Sequence, residues 1–326
     1  MDLDVVFLGT SASAPTARRG TAALLVRRGG DRLLFDCGEG TQRQLLRSAL
    51  GLVDLEEIFV THFHADHYLG LPGMLKTFAL RMRDVPLTVY GPPGLRDLFT
   101  ALSRIVGRVT YPLELVEVTP GAVLQRDGYE ICVFPVKHGV PAVGYALVEA
   151  ERPGRFDDAA ANALGVPFGP ERGVLQRGEP VTLADGRIIR PEELVGEPRP
   201  GRTVVYTGDS RPADAVPVLF RGADLLVHEA TFAEDDRERA AELGHSTARE
   251  AAEVARDAEV ALLALTHVSP RYLGSELVDE AREVFPATIL PRDFDVVEIP
   301  FRERGEPALV KGGARPERTR EETPTT

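Results

Sequence analysis

Four side chains able to bind a metal crowd into six residues of this sequence: His62, His64, Asp66 and His67, in the run Thr61-His62-Phe63-His64-Ala65-Asp66-His67. Zinc takes imidazole and carboxylate ligands where thiolates are absent. His62 and His64 are two apart, so an extended backbone points both rings the same way. Asp66 and His67 follow at a turn and point differently, which suits a second cation beside the first. A lone histidine is ordinary filler in a core or on a surface; three of them with an aspartate, directly after a strand-like run, are not. Three further donors also follow strand-like runs: His138 after Tyr129–Pro135, Asp209 after Thr203–Tyr206, and His267 at the close of Ala261–Thr266. Each alone could be structural. Loops beyond strand carboxyl ends are, however, where open α/β sheets place their sites. Together the seven donors suffice for two four- or five-coordinate zincs with Asp209 bridging.

The elements that must position these donors can be read from apolar runs and turn signals. Strands are expected at Val5–Leu8, Ala22–Val26, Arg32–Asp36, Glu57–Thr61, Leu87–Tyr90, Leu115–Val118 and Tyr129–Pro135, with helices at Gly40–Ala49, Pro72–Ala79 and Pro93–Val106. Further on, buried strands at Thr203–Tyr206, Asp224–His228 and Ala261–Thr266 alternate with helices at Arg211–Leu219, Thr247–Asp257 and Ser275–Val284. Strands first clustered and then interleaved with helices predict stacked α/β layers. Residues 151–202 stand apart, with eight glycines, seven prolines and few long apolar runs. They read as an insertion, because long structureless loops are otherwise uncommon. The polar stretch 311–326 reads as a disordered tail.

Composition narrows the class of function. No stretch approaches the roughly 20 apolar residues of a membrane span, and the opening Met1-Asp2-Leu3-Asp4-Val5 runs into a strand rather than a signal peptide. Cys37 and Cys132 are too few for a disulfide framework and form no Cys-x-x-Cys pair, which fits a reducing cytoplasm. The net charge of −12 argues against nucleic-acid binding by the whole surface. A local basic face remains open, since residues 18–47 hold seven arginines against three acids.

The pattern His62-x-His64-x-Asp66-His67 with distant His138, Asp209 and His267 resembles the metallo-β-lactamase superfamily. The resemblance implies a four-layer αβ/βα sandwich built from residues 1–150 and 203–310. It also implies one zinc on His62, His64, His138 and Asp209, and a second on Asp66, His67, Asp209 and His267. Two more segments, His228-Glu229-Ala230-Thr231 and Gly244-His245-Ser246-Thr247, resemble ribonuclease Z, the tRNA 3′-processing endonuclease family. So do Phe7-Leu8-Gly9-Thr10-Ser11, Asp36-Cys37-Gly38-Glu39-Gly40-Thr41-Gln42 and Pro291-Arg292-Asp293-Phe294. From the sequence itself His245 precedes a helix start capped by Ser246 or Thr247. The resemblance gives Glu229 and His245 a catalytic role beside the zincs, and leaves His228 structural. It makes 151–202 a protruding flexible arm that grips tRNA, with Gly169-Pro170 matching the arm's Gly-Pro segment. Arg172 and Arg177 there, and Arg18 and Arg19 in the first loop, become the RNA-contact candidates. That loop, Pro15-Thr16-Ala17-Arg18-Arg19-Gly20, keeps the proline and arginine of the family's Pro-x-Lys-x-Arg-Asn but lacks the lysine and asparagine linked to rejecting CCA-ended tRNA.

The expected activity is zinc-dependent removal of the 3′ trailer from precursor tRNA by a cytoplasmic homodimer, leaving a tRNA 3′-hydroxyl and a trailer 5′-phosphate. Asp66 would handle the proton of the nucleophile, and His245, held by Glu229, would protonate the leaving oxygen. Two other readings fit parts of the sequence. One is a di-zinc hydrolase of a small phosphodiester, sulfate ester, lactone or thioester, which would need no arm. The other is a non-catalytic RNA-binding protein with a structural zinc, which would not need the open two-cation site.

Overall fold

The structure, a computed structural model, describes residues 1–52 and 55–315. Strands β1 (Leu3–Gly9), β2 (Ala23–Arg28), β3 (Asp31–Phe35), β4 (Glu57–Phe59), β5 (Leu87–Gly91) and β6 (Leu113–Glu117) run through the first third of the chain. They are followed by β7 (Val123–Arg126), β8 (Tyr129–Pro135), β9 (Val143–Glu149), β10 (Val181–Thr182) and β11 (Ile188–Ile189). The last third holds β12 (Thr203–Tyr206), β13 (Leu225–Glu229), β14 (Leu262–Thr266), β15 (Thr288–Ile289), β16 (Val296–Glu298) and β17 (Ala308–Val310). One sheet has the order β17-β16-β1-β2-β3-β4-β5-β6 and the other β15-β14-β13-β12-β9-β8-β7. Strands β3 to β6 pair in parallel, as do β12 to β15.

Why these runs are apolar at nearly every position follows from the layers. Val6, Leu8, Leu25, Leu34, Ile58 and Val89 of the first sheet pack with Leu71, Met74, Leu75 and Phe78 of the helix Gly70–Leu80 and with Leu95 and Phe99 of the helix Leu95–Val106. On the opposite face Phe35 and Phe59 meet Tyr145 and Tyr206 of the second sheet, with centroids 5.4 to 6.2 Å apart. The helix Ala248–Asp257 lies on β13 and β14, and the helix Ser275–Val284 packs beside it. Strands covered on both sides must be hydrophobic on both sides. The result is the metallo-β-lactamase fold, an α/β sandwich.

Residues 126–130 and 148–202 form a compact unit of their own. Within the segment read as an inserted arm, residues 151–202, lies a small apolar core of Ala161, Val166, Leu175, Val181, Ile189 and Leu194. Around it sit the helices Asp158–Leu164 and Pro170–Gln176 and the β10–β11 pair. Asp157 caps the first helix by accepting a hydrogen bond from the Ala160 amide. Glu149 and Arg202 close this unit with a buried pair of 2.7 and 2.8 Å contacts.

Two other expectations change. Only Val216–Leu219 of the proposed helix Arg211–Leu219 is helical, because Pro212 and Pro217 each remove an amide donor from so short a segment. The tail does not begin at 311: Ala314 is buried and its carbonyl accepts from Ala49, while the Gly312 amide donates to Asp295. Residues 316–326 of the expected disordered tail lie outside the described residues.

Candidate metal centre

After β4 the chain stays extended to His64, whose φ of −77° and ψ of 148° cap the short helix Ala65–Tyr68. With that change from strand to helix, Asp66 and His67 fall in a different donor group from His62 and His64. His138 follows β8, Asp209 follows β12, and His267 follows β14. Parallel pairing places Glu229, at the end of β13, opposite Thr266. Six of the chain's seven histidines thereby meet at one end of the two sheets.

The donors fall into two groups joined by one carboxylate. His62 Nε2, His64 Nδ1 and His138 Nε2 lie 3.1 and 3.0 Å apart in sequence, and Asp209 Oδ2 is 3.7 Å from His62 and 4.0 Å from His138. Asp209 Oδ1 instead faces the second group, 3.2 Å from His67 Nε2 and 3.3 Å from His267 Nε2. Asp66 Oδ2 completes that group at 3.6 Å from His67 and 3.2 Å from His267. Ligand bonds of about 2.1 Å in a tetrahedron give donor–donor edges of about 3.4 Å. Among the described residues, the buried atoms His67 Nε2 and Asp209 Oδ1 have no hydrogen-bond partner. Buried polar atoms are normally satisfied, so two such atoms aimed at each other fit a shared cation. The cluster can bind metal.

Each ring presenting Nε2 has its Nδ1 engaged elsewhere. His138 Nδ1 donates to the Gly244 carbonyl at 2.9 Å and His67 Nδ1 to Asp36 at 2.7 Å. His62 Nδ1 meets the Thr61 hydroxyl at 3.0 Å, and His267 Nδ1 the Thr231 hydroxyl at 2.8 Å. Such partners fix the ring and leave the other nitrogen for a cation. Without a cation, burial disfavours a charged Asp66 and Asp209, yet the neighbouring imidazoles, His267 and His67 foremost, hold both carboxyls below the usual range. Burial and the adjoining rings also push His62 well below its ordinary value, which favours its neutral form.

Beside this cluster Glu229 is fully buried and accepts from the Ser210 amide and from His245 Nδ1, each at 2.8 Å. Burial opposes a charged His245, but the Glu229 carboxylate outweighs it and pushes the imidazole up to about 9. His228 joins none of the donor groups; its Nδ1 donates to the Glu229 carbonyl.

Asp36, quoted above only as part of a resemblance, proves to be a hub. It accepts from Thr61 through amide and hydroxyl, from His67, and from the Tyr206 hydroxyl at 2.8 Å. Its φ of 57°, like the 56° of His267, lies in the left-handed region that side chains avoid. Strain of this kind persists where surrounding contacts over-determine it. Gly208 has φ 60°, and a Cβ there would come within 2.7 Å of Thr61, so only glycine lets β12 deliver Asp209. Ser13 also has positive φ, and its amide donates to Asp66 at 2.8 Å. The hydroxyls of Thr61 and Tyr206 carried no signal of their own in the sequence, and Thr231 entered only as part of the segment His228-Glu229-Ala230-Thr231.

The loop that begins at Ser13 continues into a basic cleft of about 570 Å³. Arg18, Arg19, Arg43, Arg47, Arg292 and Arg315 line it against Glu39 and Asp293. Arg18, Arg43 and Arg292 are exposed and make no ion pair among the described residues. Arg19 is committed elsewhere, donating to Thr10 and to the Pro291 carbonyl, so it builds the wall rather than offering a free charge. In the other unit Asp158, Asn162 and Val166 occupy the guanidinium of Arg172, which links two helices. Arg177 is exposed.

Comparison with known proteins adds three kinds of likeness. A family model described as Anti-Pycsar protein Apyc1 matches residues 3–100, and one described as beta-lactamase superfamily domain matches residues 193–268. The chain is 49% identical to a ribonuclease Z of Natronomonas pharaonis, over 92% of this chain and 99% of that protein. It is 48% identical to a ribonuclease Z of Myxococcus xanthus with the same coverage of both. The crystal structure of human tRNase Z, short form, superposes with a TM-score of 0.65 at 29% identity, covering 91% of this chain and 99% of that one.

Proposed function

This chain belongs to the ribonuclease Z family, and on that premise we propose how it works: it is a tRNA 3′-processing endoribonuclease whose donor cluster holds two zincs. One zinc would lie on His62, His64, His138 and Asp209, and the other on Asp66, His67, Asp209 and His267. The observation that carries the reading is Asp209, which turns one carboxylate oxygen to each donor group. When bound, the zincs supply Lewis acidity toward the phosphate and hydroxide at neutral pH.

The chain's own residues do the rest. Asp66, fixed by the Ser13 amide, orients the proton of the attacking water. His245, charged beside Glu229 and 14% exposed at its side chain, gives a proton to the departing 3′-oxygen of the tRNA. The products are a tRNA 3′-hydroxyl and a trailer 5′-phosphate. Arg18, Arg43, Arg47 and Arg292 neutralise RNA phosphates beside the cut, and Arg177 serves the exosite formed by residues 126–130 and 148–202. A homodimer in the cytoplasm completes the reading; no helix among the described residues is long and apolar enough to cross a membrane.

The deciding experiment is incubation of the zinc-loaded protein with precursor tRNA carrying a 3′ trailer, with both new ends mapped. A tRNA 3′-hydroxyl, lost on chelation and restored by zinc, is the expected result. Cleavage that survives chelation overturns the metal assignment. Turnover of bis-p-nitrophenyl phosphate without tRNA cleavage would favour a small substrate.

A further inference from the structure

We infer that Thr231 is a positioning residue whose hydroxyl fixes the metal-binding tautomer of His267 and ties that ligand to the Glu229–His245 pair. The inference rests on the metal reading above and not on the identity of the RNA.

The direction of the hydrogen bonds follows from what each group can do. Glu229 has two oxygens surrounded by donors: the Ser210 amide and His245 on Oε1, the Thr231 amide at 3.3 Å and the Thr231 hydroxyl at 2.5 Å on Oε2. A carboxylate so placed can only accept, so the single proton of Thr231 Oγ1 points to Glu229. That leaves lone pairs on the hydroxyl oxygen, and His267 Nδ1 lies 2.8 Å from it. Nδ1 must then carry the ring's proton. Once a cation is present Nε2 is the nitrogen left to offer a lone pair, and it lies 3.2 Å from Asp66 and 3.3 Å from Asp209. Thr231 is buried, so no bulk water competes for either bond.

The other half of the cluster repeats the device. Thr61 donates to Asp36, every other partner of which is also a donor, and its oxygen faces His62 Nδ1 at 3.0 Å. The two pairs differ in reach. Asp36 touches a second ligand histidine, His67, whereas Glu229 holds His245. Thr231 Oγ1 is 3.4 Å from His245 Nδ1 as well. One oxygen atom therefore touches a zinc ligand and both members of the proton-donating pair.

The test uses metal-free protein carrying Thr231→Val, which keeps the shape and removes the hydroxyl, or Thr231→Ser, which restores it. Zinc affinity is measured by competition with a chromophoric chelator, and the His267 Nδ1 proton by proton–nitrogen NMR of the zinc-loaded chain. Valine should weaken zinc binding about 10- to 100-fold and lose the hydrogen-bonded, slowly exchanging Nδ1–H signal, while serine keeps both near wild type. Zinc affinity unchanged in the valine variant overturns the inference. So does serine as weak as valine in a folded protein, because shape rather than the hydroxyl would then matter. Should valine prevent folding, Thr231→Ala takes its place with the same readouts. Wild-type protein that binds no zinc would instead sink the metal reading, and this inference with it.

Discussion

His245 meets two opposed demands at the scale of one residue: burial favours a neutral ring, and Glu229 at 2.8 Å favours a charged one. The carboxylate prevails, so the metal-free imidazole stays protonated through neutral pH and releases its proton near 9. The sign of the linkage follows. A histidine raised in the fold contributes stability that is complete below about 6.5, its unfolded value, and is lost as pH rises through about 9. Cations nearby would oppose the charge and lower that midpoint toward neutrality. An NMR titration of metal-free protein should therefore give His245 a midpoint near 9, and Glu229→Gln should drop it markedly, since burial then acts with less opposition. A wild-type midpoint at or below the ordinary value would refute the coupling. At this scale the sequence revealed the donor cluster and not its supports. Histidines and aspartates in a tight cluster have few structural explanations, whereas Asp36, Thr61 and Thr231 each depend on at least one partner far away in the chain.

Elements deliver these residues by their ends, and the helix Ala248–Asp257 shows how. Thr247 accepts from the Glu250 amide at 3.1 Å while Glu250 accepts from the Thr247 amide at 3.0 Å, a reciprocal cap on a buried helix start. Ser246 beside it donates to the Ser210 carbonyl at 2.7 Å, tying the approach of His245 to the loop that carries Asp209. Thr247→Ala should cost about 1 kcal/mol of stability and lower kcat more than it raises KM. Denaturant melts and steady-state cleavage read the two effects separately, and a KM effect alone would mean the cap does not steady His245. Most of the long strands and this helix were legible because periodicity and caps are local, although β9, seven residues long, was missed. Strands β15, β16 and β17 were not, since two or three residues carry no period and gain their pairing from distant partners. The core of the 148–202 segment was hidden for a related reason: its apolar residues are spread among glycines and prolines, and only folding gathers them.

Charge is a property of the whole molecule, and here its average misleads. A chain of net −12 should repel RNA at long range, yet six arginines line one cleft whose wall is the loop that anchors Asp66. Folding brings together Arg18, Arg43 and Arg292, which no sequence window contains at once. Phosphates bound there would release counterions, making affinity fall with salt by a log–log slope of about 0.7 to 0.9 per contact. Replacing Arg43, Arg47 and Arg292 by glutamine should make the slope for precursor tRNA shallower by about 2, while turnover of bis-p-nitrophenyl phosphate stays near wild type. Arg172→Ala should leave the slope unchanged and lower the melting temperature instead, because its guanidinium serves Asp158 and Asn162. An unchanged slope in the triple variant would move RNA recognition away from the cleft, to Arg177 and the unit that carries it.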